Sequence, residues 1–382
     1  MHICLITHEY PKPGFAHGGI GSFIKTLTPK LIQNGVKVSV VGLNYTNVYE
    51  FQDDNGVKVF RLNYFNKKGI GWYFGAKAIS KKIAEIHSEN PIDIVECSEL
   101  GLAFLDKIPS IKYVIRLHGG HHFFAESENR KIKFWKGFQE KRSFLKADAF
   151  IAISNYVKTH TEKYLSYHNK PVELIQNPIN TTFFSPLNNP INQHSIVFMG
   201  SVCEKKGVRQ LIQSFPLVKE KFPNATLEIY GREWFFPNGT SFTQLMKNEV
   251  ISKLGHISID IHFHGLINYD QIPDKYSRAH VCVFPSHMET QGLVAPEAMS
   301  MKKMVIFTNK GPGPETITNY ETGLLCDPLK PEDIANKIIW SFSHEEQVKT
   351  IENNAREFVL SKFDLDIIVQ KNIDFYNRII SS

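Results

Sequence analysis

Short apolar runs alternate with amphipathic stretches of helical spacing along most of the 382-residue chain. The early runs are His2–Thr7, Lys37–Val41, Val57–Leu62, Ile92–Cys97, Tyr113–Leu117 and Ala149–Ile153. They are rich in Ile and Val and continuous rather than alternating, as strands buried on both faces require. Between them lie helical segments such as Ser22–Asn34, closed by Gly35 at a C-cap position. Strand and helix alternating at this spacing predict a doubly wound parallel sheet. The pattern pauses over residues 177–190, where Pro178, Pro186 and Pro190 and four asparagines read as a linker. It then restarts with Ser195–Gly200, Ala225–Tyr230, Ile261–Phe263, Val281–Phe284 and Met304–Thr308. The expectation is therefore α/β architecture in two Rossmann-like domains, 1–185 and 186–364, facing a central cleft. A last helix, after Asp364-Leu365-Asp366, is expected to pack residues 365–382 back on the first domain.

Composition narrows the classes. With 42% hydrophobic and 21% charged residues, the chain is neither disordered nor fibrous. It carries no run of about 18 apolar residues, which excludes a spanning helix. Its first residues turn polar too soon for a secretory signal. The five cysteines, Cys4, Cys97, Cys203, Cys282 and Cys326, are scattered and form no Cys-x-x-Cys pair, which fits a reducing cytoplasm. Net charge is +6, unevenly spread: residues 1–185 hold 24 basic and 16 acidic side chains, and the remainder 20 and 22. The surplus is densest over Arg130–Arg142, where cations are interleaved with aromatics. That mixture suits an anionic membrane surface, or else a solvated helix face over a buried aromatic stripe. Nucleic acid is disfavoured, since no motif for it is present and the second half is slightly acidic.

In open parallel sheets ligands bind beyond the carboxyl ends of the strands. The loop after the first strand holds Gly18 and Gly19 before a helix start, which can set backbone amides against a phosphate or simply form a tight turn. It is not a G-x-G-x-x-G fingerprint, so a dinucleotide is disfavoured. The loop after Ser195–Gly200 carries Ser201, then Lys206, a cation placed to meet a diphosphate or simply an exposed lysine. The strongest segment follows Val281–Phe284. There Gly292 permits close backbone approach, Pro296 fits a first helical turn, and the amides of Gly292, Leu293 and Val294 can face an anion. Glu289 and Glu297 flank them, carboxylates able to accept from sugar hydroxyls or chance surface acids. His118, His121 and His122 follow Tyr113–Leu117; the adjacent pair cannot share one face, which argues against a metal site.

Taken together these residues resemble the group 1 glycosyl transferases, the retaining glycosyltransferases of family 4 with GT-B fold. The resemblance runs over nearly the whole chain: the Gly18-Gly19 loop, His118, Ala147–Ser154, Ile175–Pro178, Gly200 to Gly207, Phe263–Gly265, Glu289 with Glu297, and Glu321–Leu325. It implies that Glu289 binds the donor sugar's hydroxyls and Glu297 the nucleotide ribose. It further implies that amides at Gly19 and at Gly292–Val294 bind the diphosphate, that Lys206 stabilises the leaving phosphate, and that His118 lies near the reacting carbon. No catalytic metal and no cofactor are needed. The implied partners are a UDP- or GDP-sugar donor and a glycan or lipid-linked acceptor, in cell-surface polysaccharide synthesis; the basic surplus of residues 1–185 suits an acceptor at the cytoplasmic face of the membrane. Where such enzymes carry Gly-Arg, this chain has Gly200-Ser201; Arg232, after the strand ending at Tyr230, is expected to supply the missing charge. Acceptor recognition is expected from the first domain, at Tyr64–Tyr73 and Arg130–Arg142. A sugar-nucleotide epimerase or a non-catalytic sugar-nucleotide binder on the same fold are the competing readings.

Overall fold

The apolar runs become strands, and the ends of those strands position everything that follows. The computed structural model describes residues 1–15, 17–64, 69–128 and 130–382. Among these residues the chain divides into two units, Met1–Pro178 with Leu365–Ser382, and Ile179–Asp364.

The first unit is built on eight strands: β1 His2–Ile6, β2 Lys37–Leu43, β3 Glu50–Asp54, β4 Val57–Leu62, β5 Ile94–Cys97, β6 Lys112–Leu117, β7 Ala149–Ala152 and β8 Val172–Leu174, in the order β3-β4-β2-β1-β5-β6-β7-β8. All neighbours are parallel except β3 and β4. That pair is a hairpin turned by Asn55 and Gly56, both at positive φ, the two-residue turn whose twist matches its strands. Being polar and on the edge, β3 carries no apolar run to announce it. The helices described here are α1 Gly19–Gln33, α2 Gly71–Glu89, α3 His121–Ser127, α4 Phe134–Lys146 and α5 Asn155–Glu162.

The C-terminal helix, Leu365–Ser381, belongs to this unit. Ile368, Val369, Phe375, Tyr376 and Ile379 recur at helical spacing and join the core formed by α1 and the sheet. It is also tied to a buried ion pair. Arg116 of β6 donates from Nε to Glu96 of β5 at 2.7 Å, and one terminal nitrogen donates to Asn372 Oδ1 at 2.5 Å. The Tyr376 hydroxyl donates to the same Glu96 carboxylate at 2.6 Å. Extra hydrogen bonds of this kind are what a buried charge pair needs to offset its desolvation.

The second unit holds β9 Ser195–Met199, β10 Thr226–Tyr230, β11 Ile261–Gly265, β12 Val281–Phe284, β13 Met304–Thr308 and β14 Leu324–Cys326, ordered β11-β10-β9-β12-β13-β14 and all parallel. The unit starts at Ile179, ahead of the boundary expected after residue 185. Ile179 and Phe184 lie in its core beside Phe363, and the Ile179 amide donates to the Phe363 carbonyl at 2.7 Å. What reads as linker is thus partly core.

In each sheet the winding reverses once, between β1 and β5 in the first unit and between β9 and β12 in the second. Those are the crevices where open parallel sheets take ligands. Arg116→Ala would leave Glu96 buried without its counter-ion and should cost about 3–5 kcal/mol. Urea unfolding followed by circular dichroism checks this; a loss under about 1 kcal/mol would mean the ion pair contributes little.

Candidate active site

In the second unit the β9 loop and the β12 loop are locked together. After a single turn of 3-10 helix, Glu204–Lys206, the chain passes Gly207 at φ +71, where an added Cβ would stand 1.9 Å from the Pro285 carbonyl oxygen. The His287 amide donates to the Lys205 carbonyl at 2.9 Å. This contact sets the Lys206 Nζ 2.5 Å from Glu289 Oε1. The Ser286 hydroxyl donates to the same oxygen at 2.8 Å. Glu289 is 8% exposed, so the site contains a nearly buried carboxylate with a cation fixed against it.

Beyond it, Gly292 takes φ +77, and an added Cβ there would lie 2.6 Å from the Phe307 ring. The next residues, Leu293 and Val294, lead into the helix Val294–Ser300, with Pro296 buried in its first turn. Its ladder begins with Ala295 N–H on the Gly292 carbonyl at 3.3 Å, so the amides of Gly292, Leu293 and Val294 head the helix, where intrahelical partners are lacking. Glu297 lies half-buried within the first turn of that helix. Burial pushes its carboxyl up to about 7, and the Tyr276 hydroxyl bonded to it partly opposes the rise.

Ser201 and Arg232 lie on adjacent strand ends, joined by the Val202 amide donating to the Arg232 carbonyl at 2.9 Å. The Arg232 side chain is exposed, and its guanidinium makes no ion pair among the described residues. The aromatic stretch after it folds into a small turn, with Trp234 and Phe235 exposed and the Phe236 amide on the Thr240 carbonyl.

In the first unit, His118 leaves β6 half-buried, its ring 5.4 Å from that of Phe23. Burial, and then the Arg116 guanidinium, lower its pKa to about 3. It is therefore a neutral imidazole at any physiological pH, a hydrogen-bonding group and not a cation. The histidines near it in sequence do not join it. The His121 ring pairs with the Lys133 amide at 3.0 Å, and the buried His122 ring lies between Glu140 Oε1 at 3.1 Å and Thr161 Oγ1 at 3.3 Å. At α1, Gly18 N–H donates to Glu9 Oε2 at 3.0 Å, while nothing lies near an added Cβ at Gly19. The first turn of α1 has no acid of its own; Glu9 supplies the negative charge that a helix start favours. Neither Glu9 nor Glu140 stands out in the sequence, because nothing near them marks a buried or capping acid.

Of the two segments expected to meet the acceptor, residues 65–68 of Tyr64–Tyr73 lie outside the described residues. In Arg130–Arg142 the aromatic stripe is not buried. The face of α4 that packs inward is Gln139, Glu140, Ser143 and Phe144, whereas Phe134 is 88% exposed and Trp135 42%. Trp135 stacks on Phe104 and Phe138 at 5.6 Å and meets Trp72 at 5.2 Å. Lys131, Lys133, Lys136 and Lys141, in the same stretch of chain, are exposed.

Two doubly wound α/β units in sequence are the architecture of the GT-B glycosyltransferases. Comparison supports the same class. HepE of Anabaena, solved with UDP-glucose, superposes with a TM-score of 0.77 over 99% of this chain and 100% of its own, at 17% identity. Residues 17–183 match Glycosyltransferase Family 4 and residues 180–358 match Glycosyl transferases group 1. An uncharacterized glycosyltransferase of Methanocaldococcus jannaschii is 27% identical over 98% of both chains. The capsular polysaccharide biosynthesis glycosyltransferase CapM of Staphylococcus aureus is 26% identical, over 81% of this chain and 83% of CapM. The chain belongs to the group 1 glycosyltransferases.

Gly292→Ala forces a side chain onto an αL backbone and against Phe307. It should lower stability by about 1–3 kcal/mol, measured by urea unfolding, and an unchanged midpoint would show that the loop accommodates the methyl group.

Proposed function

We propose that this enzyme moves a hexosyl unit from a nucleoside diphosphate sugar to a glycan or lipid-linked acceptor, with retention at the anomeric carbon, in cell-surface polysaccharide synthesis. The observation that carries the reading is the Lys206–Glu289 pair beside the amides of Gly292–Val294. Amides and a cation suit a diphosphate; a carboxylate suits sugar hydroxyls, and Glu297 is a second one for the ribose. The UDP-glucose bound by HepE supports a nucleotide sugar as donor, and the role of CapM supports polysaccharide synthesis.

In this reading the bond between the anomeric carbon and the diphosphate oxygen breaks, and negative charge gathers on the leaving phosphate. Lys206, Arg232 and the Ser201 hydroxyl answer that charge; fixed cations and donors lower such barriers by several kcal/mol together. The acceptor oxygen forms its new bond from the same face, its proton leaves with the departing phosphate, and no side chain serves as nucleophile. Neutral His118 contributes a hydrogen bond near the reacting carbon. The first unit meets the acceptor, and the exposed aromatics and lysines of Arg130–Arg142 rest on an anionic membrane at the cytoplasmic face. Exposed aromatics suit the interfacial layer, and each lysine near such a surface adds about 1 kcal/mol. No helix among the described residues is long and apolar enough to cross a membrane.

Release of nucleoside diphosphate from a panel of UDP- and GDP-sugars, with and without membrane extract, tests the activity. One donor should be consumed faster with extract, and no turnover of any donor would end the proposal. Because the Glu297 carboxyl titrates near 7 and its ionised form accepts from the ribose, donor affinity should weaken about eightfold from pH 7.5 to 6. Calorimetry checks this; the dependence should vanish in Glu297→Gln. Sedimentation with phosphatidylserine-containing vesicles at low salt should exceed that with neutral vesicles and fall in Trp72→Ala/Trp135→Ala. Equal sedimentation with both lipids would remove the membrane contact.

A further inference from the structure

Behind His118 lies an acid that the proposed chemistry leaves unused. Glu99 follows β5 in the turn closed by the Gly101 amide on the Ser98 carbonyl at 2.9 Å. It is 3% exposed, and its Oε1 has no hydrogen-bond partner among the described residues. The backbone amides of His118 and Gly119 face its carboxyl. Leaving a buried polar atom unsatisfied destabilises the fold, a cost that an apolar side chain in the same place would avoid. We propose that Glu99 is a positioning residue for the transfer reaction: its carboxyl is the floor of the His118–Gly119 turn and sets where the imidazole stands. This rests on the transferase reading of His118.

The turn Leu117–His122 is held by two acids with separate tasks. Glu140, from α4, is 1% exposed and accepts at Oε1 from the His121 amide at 2.5 Å and from the His122 amide at 3.4 Å. It thereby caps α3, whose own N-cap is Gly120 and offers no side chain. Glu99 lies under the preceding two residues. The titratable groups facing it are Glu140 from α4, the Cys97 thiol of β5 and the Tyr167 phenol after α5. Burial first, and then the neighbouring Glu140, push the Glu99 carboxyl up to about 8. At neutral pH it therefore holds a proton. Above pH 8 it becomes a carboxylate that draws on the His118 and Gly119 amides and displaces the ring they carry.

The test uses the full-length protein with ¹³C-labelled histidine, the His118 ring signal being assigned by its loss in His118→Gln. In the wild type that signal should shift through a transition near pH 8, and in Glu99→Gln the transition should be absent. A His118 signal invariant from pH 6 to 9.5 in the wild type, or an identical transition in Glu99→Gln, overturns the proposal whether or not any sugar is transferred. Kinetics then address the transfer. Glu99→Ala, which opens a void beneath the turn, should lower kcat at least about tenfold with donor KM within about twofold, since small misplacements of reacting groups are costly. Glu99→Gln, which keeps the shape and the uncharged state, should restore kcat near neutrality and remove the fall above pH 8. Full kcat in Glu99→Ala would overturn the positioning role. A wild type that turns over no nucleotide sugar but shows the His118 transition defeats the transferase reading instead, while the coupling of Glu99 to His118 stands.

Discussion

The second unit's site depends on one close approach, that of the Gly207 backbone to the Pro285 carbonyl oxygen. Any side chain at that position would push the β9 loop away from the β12 loop. With the two in contact, a lysine and a glutamate 83 residues apart in sequence share an ion pair at 2.5 Å. The pair forms at the switch between β9 and β12, and the amides leading the helix Val294–Ser300 follow it within a few residues. The backbone contact thus fixes a lysine and a glutamate side chain against each other, with helix-leading amides close by, the kind of preorganisation that lets fixed charge stabilise a developing one.

The first unit uses burial differently. His118 is kept neutral, Arg116 and Glu96 are closed in by Asn372 and Tyr376 of the C-terminal helix, and Glu140 caps a helix that begins on glycine. The C-terminal helix thereby acts on His118 indirectly. Its Asn372 and Tyr376 side chains accept from one terminal nitrogen of Arg116, and Arg116 lies two residues before the histidine whose protonation it disfavours. The stretch Arg130–Arg142 is the reverse case, with aromatic rings and lysines both left in solvent.

Much of this was legible in the chain. Continuous Ile- and Val-rich runs marked every central strand, because strands covered on both faces need no polar alternation. Strand β3 escaped, since Glu50-Phe51-Gln52-Asp53-Asp54 is an exposed edge, although Asn55-Gly56 was a usable turn signal. Strands β8 and β14 are only three residues each. The start of the second unit was misplaced because prolines and asparagines conceal Ile179 and Phe184, whose burial depends on Phe363, far along the chain. Glu289, Glu297 and Lys206 could be singled out by their place after strands, but the contact between Lys206 and Glu289 could not. Glu99 and Glu140 were invisible, because an acid in a sequence looks solvated until tertiary structure closes over it.

Everything proposed for the second unit rests on its gripping a nucleoside diphosphate sugar at these strand ends, and a crystal structure of the protein with its donor is the decisive test. The diphosphate should lie within hydrogen-bonding distance of the Gly292–Val294 amides and of Lys206 Nζ, with the ribose on Glu297 and the hexose on Glu289. A donor bound elsewhere, with Lys206 and Glu297 turned away from it, would contradict the account.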